Sequence, residues 1–538
     1  MTDRKVYLKP NVVIEPLVNR WYAWSHLISP ATAAMNIAER HLKIIESYLL
    51  SPNTHAEAVA NPKMRGGPFM DLGGKRLDEV KSLQQRIIQA CNDQLQFAKG
   101  IKELDNMLQA NAKGFSLENL YEKVPESLKG YVELFYDRQN NPSFKVFETL
   151  LYNSAYYKKN SQTIALWITD NDHRPFALST PKLDDADVLH LDICFDHVGI
   201  DEMAKMKRVP QSLGYIKTML GISQKQEALF DELFTEEAPA VYRRYDGPKI
   251  RMRYFGHACI LIETKELSIL VDPLISYYGY HSDIEHFSDV DLPDVIDYVL
   301  ITHNHQDHIL FETLLPLRHK IKNVIVPRTR GGRLEDPELK MMFNHIGFNN
   351  VIEIDEMSTI KFEDASITGI PFTGEHSDLN IQAKTCYHVR VGEFKLLFMA
   401  DSRIMEPLLY KHIHDQTGNV DVIFLGMECD GAPLSWLYGP LLTRRLARDQ
   451  DGSRRLAGSD CSKGMALVDI FSPKEMYVYA MGQEPWLEFI SSIKYTDESN
   501  PIIQSNDLVK RCIEKGLTAE RLYGEKELLY HKQLDAAR

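Results

Sequence analysis

From about residue 250 onward, the chain alternates short apolar runs with polar loops. The runs are rich in β-branched and aromatic residues and are bounded by Gly, Pro or Asp, which is typical of β-strands. They read IRMRYFG, ACILIET, LSILVDP, YVLITH, NVIVP, VIEID, ITGIPF, KLLFMAD, VDVIFLG and EMYVYAMG. This many short strands, with helical stretches between them, predicts two packed sheets with helices outside.

The first half of the chain mixes helical and strand periodicity. Apolar residues recur every three or four positions between Leu77 and Leu108, which predicts one long amphipathic helix. TIALWITDND and DVLHLDICF are typical of strands, and the pieces on either side of Asn140-Asn141-Pro142 are strand-like or short helices. A charged segment with two prolines follows at 235–252. We therefore predict an N-terminal mixed α/β domain over residues 1–245 and a second domain over residues 246–538.

Composition narrows the class of protein. The chain has 538 residues, of which 44% are hydrophobic and 25% charged, so it is not disordered, collagen-like or a coiled coil. A net charge of −13 argues against a general nucleic-acid binder and against binding to an anionic membrane surface. No apolar run approaches the ~18 residues of a spanning helix. The seven cysteines are scattered and never form CxxC. We expect a cytoplasmic protein with free thiols and with neither nucleic-acid nor membrane partners.

The strongest chemical signal is Thr302-His303-Asn304-His305-Gln306-Asp307-His308, which directly follows the strand YVLI. Residues two apart in an extended segment face the same side, so His303 and His305 can hold one metal ion. Asp307 and His308 follow as the chain turns toward the next helix, and they can face a second ion. The spacing therefore predicts a dinuclear metal site rather than isolated polar histidines.

An HxHxDH run after a strand is a signature of the metallo-β-lactamase fold, which this half of the chain resembles. The resemblance implies an α/β fold in which a C-terminal αββα sandwich follows the mixed N-terminal domain. It makes Asp401, at the end of KLLFMA, the bridging aspartate, since a carboxylate buried there without a role would be costly. His257 and Asp272 then become structural residues or partners that orient the ligands.

Two departures from the hydrolases of this fold are informative. Where those enzymes supply a further histidine, this chain reads Gly374-Glu375-His376-Ser377-Asp378, and we expect only one of Glu375 and His376 to reach the metals. The last histidine of the hydrolases is missing, and the strand end there reads Tyr479-Ala480-Met481-Gly482-Gln483-Glu484. More carboxylates and fewer nitrogens favour iron or manganese, with zinc remaining an alternative.

Together, HNHQDH, GEHSD, FMADSR and MGQEPW resemble the diiron β-hydroxylases of non-ribosomal peptide biosynthesis. This resemblance implies two iron ions, bridged by an oxo group or a carboxylate, with O2 as co-substrate. It also implies a substrate amino acid on a peptidyl carrier protein, an external electron donor and a homodimer formed by the N-terminal domain. The implied ligands are His303, His305 and Glu375 for one iron, Asp307 and His308 for the other, and Asp401 as the bridge.

Two further features each leave two roles open. Glu428 follows the buried strand VDVIFL and is either a proton-handling residue or a structural carboxylate. With it, the predicted catalytic residues are Glu375, Asp401 and Glu428. A basic segment that includes Arg444, Arg445, Arg448, Arg454 and Arg455 is either a docking site for an acidic carrier protein or a solvated surface.

Three functions compete on this reading. The first is an O2-dependent β-hydroxylase. The second is a dinuclear metallohydrolase acting on an ester, phosphodiester or lactone through a metal-bound hydroxide. The third is a non-catalytic protein that retains a metal site. An inward Glu375 favours the first, whereas an inward His376 with an outward Glu375 favours the second.

Overall fold

The computed structural model describes residues 4–171, 173–240, 242–278, 283–362 and 364–531. The ends of the predicted domains, 1–3 and 532–538, lie outside these ranges. Among the described residues, no helix is both long and apolar enough to cross a membrane.

Small antiparallel sheets and helices make up the first half. Its strands are β1 (Lys5–Leu8), β2 (Val12–Val18), β3 (Trp21–Tyr22), β4 (Val132–Tyr136), β5 (Pro142–Val146), β6 (Gln162–Ile168), β7 (Leu189–Leu191), β8 (Gln211–Ser212) and β9 (Phe234–Thr235). Its helices are α1 (Pro30–Asn36), α2 (Leu42–Leu50), α3 (Pro52–Ala60), α4 (Leu77–Ala90), α5 (Asn92–Asn111), α6 (Glu148–Tyr152), α7 (Val198–Lys205), α8 (Leu213–Leu220) and α9 (Glu227–Glu232). The sheets have the orders β3-β2-β6-β7 and β8-β1-β9, and β4 and β5 form a hairpin.

The prediction of one helix from Leu77 to Leu108 was wrong, because the chain breaks at Cys91 into α4 and α5. Cys91 has φ −105° and ψ 18°, which is not helical. The apolar positions on both sides of the break are nevertheless buried in one core. Burial of a continuous stripe therefore explains why the periodicity continued across a break that it did not reveal.

The described part of the second half contains two seven-stranded sheets, a short two-stranded sheet and helices. The strands are β10 (Lys249–Tyr254), β11 (Ile260–Glu263), β12 (Ser268–Val271), β13 (Ile296–Leu300), β14 (Ile321–Pro327), β15 (Val351–Ile354), β16 (Thr359–Phe362), β17 (Ala365–Ile370), β18 (Cys386–Val391), β19 (Phe394–Phe398), β20 (Val422–Gly426), β21 (Ala432–Pro433), β22 (Arg455–Leu456), β23 (Glu475–Tyr479), β24 (Thr518–Arg521) and β25 (Lys526–His531). The helices are α10 (Phe311–Leu317), α11 (Leu339–His345), α12 (Pro407–Thr417), α13 (Leu434–Tyr438), α14 (Arg448–Ser453), α15 (Cys461–Phe471), α16 (Glu488–Ser491) and α17 (Asn500–Glu514).

The two sheets form the sandwich that the strand pattern predicts. Their orders are β15-β14-β13-β12-β11-β10-β25 and β16-β17-β18-β19-β20-β23-β24. Alternate side chains enter different cores: Phe424 faces the core between the sheets, whereas Ile423 and Leu425 face the helices α12, α15 and α17. The strand ending at Val271 alternates in the same way, since Leu270 packs in the core shared with the N-terminal half. The αββα prediction is confirmed.

Four strands of these two sheets were not predicted: β16, β18, β24 and β25. The charged segment near His531 is strand β25, which pairs antiparallel with β10 at the sheet edge. Its exposed and half-buried residues alternate, and its Lys and Glu content masks that alternation in the sequence. An edge strand tolerates this composition because one side of it faces solvent.

Charged pairs bind the two halves together. Arg174 donates two hydrogen bonds of 2.8 Å to Glu312 on α10, and the Tyr277 hydroxyl donates to the same carboxylate at 2.7 Å. Arg318 forms a second bidentate pair with Asp201 on α7, with both distances 3.0 Å. Because these partners are far apart in sequence and largely buried, they hold the first half against the outer side of the β10–β15 sheet.

Candidate metal centre

The strand ends converge on one edge of the sandwich. Strands β12, β13 and β14 are parallel, and so are β19, β20 and β23. Strand β17 points the same way as β19, because both are antiparallel to β18. The loops that carry the predicted site residues therefore meet at the carboxyl ends of these strands, where sites on such sheets form.

The histidine segment after β13 begins at an isolated β-bridge between His303 and Lys384 and turns over residues 306–308, as we predicted for Asp307 and His308. The ring centroid of His303 lies 4.7 Å from that of His305 and 4.0 Å from that of His308. The turn is closed by the His308 amide, which donates to the His305 carbonyl at 3.2 Å. The three imidazoles converge because the chain bends at Asn304 and His305 and then turns. The spacing predicted the right grouping, although the stretch from His303 to His305 is bent and not extended.

Hydrogen bonds set which nitrogen of His303 and His308 is free. The Nδ1 atom of His303 lies 3.0 Å from Thr302 Oγ1, and that of His308 lies 2.8 Å from Asp272 Oδ2. Thr302 Oγ1 donates its proton to Asp272 at 2.6 Å, so it can accept from His303. Both rings therefore carry their proton on Nδ1 and present the lone pair of Nε2 to the centre. Asp272 has the orienting position that the sequence predicted.

Glu375 points into the centre. Its Oε1 lies 2.9 Å from His305 Nδ1, and its Oε2 lies 4.0 Å from His303 Nε2. His376 does not point away, however: its Nδ1 lies 2.9 Å from Glu375 Oε2, and its ring stacks on His305 with centroids 4.6 Å apart. Our assumption of an extended segment was wrong, because Glu375 and Ser377 have φ of 61° and 54°. The left-handed turn brings both neighbours to one side.

Asp401 lies between the two groups of ligands. Its Oδ2 is 3.1 Å from His308 Nε2 and 4.0 Å from His303 Nε2. The space for this carboxylate comes from Gly426, where a Cβ atom would lie 2.4 Å from Asp401 Oδ1. A side chain at position 426 would therefore displace the aspartate.

Asp307 lies near His257 and His308. Its Oδ2 is 3.4 Å from His257 Nε2. Potential ligand atoms form three groups, each within 4.8 Å: His303, His305, Glu375 and His376; His303, His308 and Asp401; and His257, Asp307 and His308. All six residues predicted as metal ligands thus lie in one continuous cluster.

The electrostatics of the cluster fit bound cations. Burial would raise the pKa of Glu375, but His305 and His376 outweigh it and lower that pKa to about 2. Burial and the neighbouring imidazoles lower the pKa of His303 well below its usual value. Buried atoms without a hydrogen-bond partner among the described residues include His303 Nε2 and Asp401 Oδ1. Unpaired atoms of this kind, facing one another, are what metal ions would satisfy.

Glu428 stands apart from the ligand groups. Its Oε1 accepts a hydrogen bond from the Tyr495 hydroxyl at 2.9 Å. Burial raises the pKa of Glu428 to about 7, and the negative charge of Asp401 contributes. A carboxyl with such a pKa can take up and release a proton near neutral pH, which suits the predicted proton-handling role.

Tyr438, an aromatic residue that the sequence leaves open as pocket-lining or as simple core, is a neighbour of the site. Its hydroxyl lies 3.1 Å from His305 Nε2, on the side of the ring away from Glu375. Arg40, from a π-helical turn at Ile37–His41 between α1 and α2, donates to the carbonyls of Trp436 and Leu437 at 2.9 and 2.8 Å. No local motif marks either contact, because each joins residues that are distant in sequence.

Two arginines of the basic segment form hydrogen bonds within the fold. Arg454 donates to the carbonyl of Ser377 at 2.9 Å, next to the Glu375 turn. Arg455 donates to the carbonyls of Asp430 and Gly431. Arg444 lies 3.7 Å from Asp105 and is exposed. A docking role therefore rests on Arg444, Arg445 and Arg448 rather than on all five arginines.

Comparisons with known proteins agree with this geometry. A family model described as the diiron non-heme beta-hydroxylase N-terminal domain matches residues 7–239, and a beta-lactamase superfamily domain matches residues 268–432. The 4-amino-L-phenylalanyl-[CmlP-peptidyl-carrier-protein] 3-hydroxylase of Streptomyces venezuelae is 37% identical over 525 residues, covering 96% of this chain and 98% of that protein. The crystal structure of CmlA, a diiron beta-hydroxylase from Streptomyces venezuelae, has a TM-score of 0.92 at 34% identity and covers 98% of this chain and 100% of that one.

Proposed function

Since this chain belongs to the diiron non-heme β-hydroxylase family, we propose that it hydroxylates the β carbon of an amino acid tethered to a peptidyl carrier protein of a non-ribosomal peptide synthetase. The family's cofactor is a pair of iron ions, and O2 is the co-substrate. The observation that carries the proposal is the inward Glu375 carboxylate beside His305, in a chain aligned over nearly its whole length with a carrier-protein-dependent 3-hydroxylase. The metallohydrolase alternative is not favoured by these relatives.

The proposed ligands follow from the positions of the potential ligand atoms in the cluster. His303 Nε2, His305 Nδ1 and Glu375 would hold one iron, and the distances of 2.9 and 4.0 Å from Glu375 to the two nitrogens support this set. Asp307 and His308 Nε2 would hold the other iron. Asp401 would bridge the two, since its Oδ2 faces both His303 and His308.

When bound, the two irons supply the O2 activation that no protein side chain can provide. Hydroxylation consumes the C–H bond, one O2, two electrons and two protons, and it yields the alcohol and one water. The two electrons must come from an external donor, which we propose as a second partner. The carboxylates can change between one- and two-oxygen coordination, which accommodates different iron charges. Glu428, hydrogen-bonded to Tyr495, is our proposed proton carrier.

An open cavity of about 770 Å³ gives a route to the centre. Its walls include Phe135 and Phe144 of the β4–β5 hairpin, Arg330 and Arg333 of the loop before α11, and Tyr438 at the end of α13. Tyr438 connects this wall to the centre, since its hydroxyl lies 3.1 Å from His305 Nε2. We propose that the tethered amino acid enters here, with its carrier protein outside.

The domain limits and assembly complete the proposal. We propose that residues 1–245 form the N-terminal domain and that residues 246–538 form the catalytic domain, since β9 ends at Thr235 and β10 begins at Lys249. The homodimer and the cytoplasmic location stay predictions from the resemblance and the composition. Sedimentation equilibrium of the purified chain tests the dimer directly.

The decisive experiment measures the transfer of an oxygen atom from O2 to the tethered amino acid. Metal-free protein is given two equivalents of Fe(II) anaerobically, reduced chemically, and exposed to isotope-labelled O2 with an aminoacyl carrier protein. We expect the tethered residue to gain one labelled oxygen by mass spectrometry. The control uses the same carrier protein without an amino acid. Release of free amino acid without label would support a hydrolase, and absence of both reactions with a panel of aminoacyl carriers would contradict the proposal.

A further inference from the structure

His257 lies beside the proposed ligands Asp307 and His308 and could be mistaken for a ligand. One potential ligand atom from each of these three residues lies within 4.8 Å of the others. His257 is 2% exposed, and its Nε2 has no hydrogen-bond partner among the described residues. Its nearest charged neighbour is Asp307 Oδ2, at 3.4 Å. The role of this imidazole depends on which of its nitrogens carries the proton.

The loop after β23 holds His257 through three hydrogen bonds. The amide of Ala480 donates to the His257 carbonyl at 2.8 Å, and the amide of Gly482 donates to His257 Nδ1 at 3.2 Å. In turn, the amide of His257 donates to Glu484 Oε1 at 3.1 Å. Glu484 is itself 2% exposed and also accepts from the Tyr254 hydroxyl. The segment 480–484 thus pairs with the amide, the carbonyl and the Nδ1 atom of His257.

These contacts fix the tautomer. Because Gly482 N–H donates to Nδ1, the lone pair of Nδ1 is in use and the proton of the neutral ring must be on Nε2. A metal bound at Nε2 would require the proton on Nδ1, where it would face the Gly482 N–H at 3.2 Å. His303 and His308 show the opposite arrangement, since each has an acceptor oxygen at Nδ1. His257 is therefore built as a donor and not as a ligand.

The backbone angles of His257 and Ala480 indicate that surrounding contacts impose this arrangement. His257 has φ of 50°, and Ala480 has φ of 52°, both in the left-handed region that side chains seldom adopt. Such conformations persist where surrounding contacts impose them. Here the contacts are the hydrogen bonds between the two loops, and the strain places Nε2 toward Asp307.

We propose that His257 is a positioning residue whose Nε2–H stabilises the position of the Asp307 carboxylate, 3.4 Å away, by electrostatic attraction, with the 480–484 loop fixing its tautomer and direction. This inference rests on the proposed role of Asp307 as a metal ligand. The proposal also gives a role to the loop 480–484, where hydrolases of this fold have their last histidine ligand. In this chain the loop supplies no nitrogen ligand and instead restrains His257.

The test compares His257→Gln with His257→Leu by anaerobic titration of the metal-free protein with Co(II) and with Fe(II). Gln retains an N–H donor near the position of Nε2, so we expect two metals with the weaker affinity changed less than threefold. Leu lacks the donor, and we expect the weaker affinity to fall by roughly 10- to 100-fold, with two metals still bound at saturation. Thermal unfolding of both metal-free variants checks that they are folded.

A second pair of variants leaves the imidazole intact. Glu484→Gln keeps an acceptor for the His257 amide and should bind both metals normally, whereas Glu484→Ala should weaken the same metal as His257→Leu. Loss of the second metal in His257→Gln to the same degree as in Leu would make His257 a ligand and overturn the proposal. An unchanged affinity in His257→Leu would overturn it as well. Since these readouts use metal binding alone, they stand whether or not hydroxylation is observed.

Discussion

Replacing Asp272 by Asn tests whether a buried carboxylate sets the protonation of the metal ligands. Asp272 is fully buried. Its Oδ1 accepts from the Thr302 amide at 2.8 Å, and its Oδ2 accepts from the Thr302 hydroxyl at 2.6 Å and pairs with His308 Nδ1 at 2.8 Å. Asparagine has almost the same shape but only one acceptor oxygen, so it cannot satisfy both sides.

Either orientation of the introduced amide disturbs the site. With its nitrogen at the Oδ1 position, two N–H groups face each other and the Thr302 amide loses its acceptor. With the nitrogen at the Oδ2 position, His308 loses the acceptor for Nδ1–H, which favours moving the proton to the Nε2 atom that faces Asp401. Losing an orienting partner of a ligating histidine costs about 10- to 100-fold in metal affinity, or about 1.4 to 2.8 kcal/mol.

The assay is stepwise Co(II) or Fe(II) titration of the metal-free Asp272→Asn protein by calorimetry, with far-ultraviolet circular dichroism to verify the fold. We expect the larger loss on the metal held by His308 and a smaller loss on the metal held by His303, because the Thr302 hydroxyl that orients His303 donates to the same Asp272 oxygen. Asp449→Asn, an exposed aspartate on α14, is the matched control and should bind both metals as the parent does. Equal affinities in Asp272→Asn and the control would refute the tautomer argument for the whole histidine cluster.

Three further changes separate roles in the site and the fold. Glu375→Gln should bind one iron fewer in metal analysis because it removes an anionic ligand, whereas His376→Gln should retain two; the reverse result would restore the hydrolase ligand set. Arg40→Met removes two buried hydrogen bonds at the end of the helix that carries Tyr438, so denaturant unfolding should show a loss of about 2–4 kcal/mol. Burial raises the pKa of Glu148 from 4.5 to about 7. Glu148 should therefore lower the free energy of unfolding of the metal-free protein by about 3 kcal/mol as pH rises from 4.5 through 7, and in Glu148→Gln the fall over this range should be smaller than in the parent by about that amount.

Continuous apolar runs predicted the strands of the sandwich, because these strands are buried on both faces. Ile423, Phe424 and Leu425 are all buried yet enter two different cores, so every position is apolar and the run is conspicuous. Strand β25 escaped prediction because only one of its faces packs. The break at Cys91 escaped for a related reason, since the periodicity reports which residues are buried and not whether the backbone between them is continuous.

The candidate site was predictable where its residues are close in sequence. HxHxDH groups three imidazoles and a carboxylate within six positions, and any tight turn brings them together. The orientation of Glu375 and His376 was not predictable, because it depends on left-handed backbone angles that no residue type there requires. The contacts of Tyr438, Glu484 and Arg40 could not be predicted either, because each joins segments that are distant in sequence.

The N-terminal half contributes to the centre rather than only covering it. Arg40 is partly buried and donates to the carbonyls of Trp436 and Leu437, and the next residue, Tyr438, contacts His305 at the nitrogen opposite Glu375. A shift of the Ile37–His41 turn would therefore move Tyr438 and change the partner of a ligating imidazole. The same Tyr438 lines the access cavity together with the N-terminal hairpin. A partner that bound at the mouth of this proposed access cavity would contact the elements that orient His305, and this would physically link substrate delivery to the proposed metal centre.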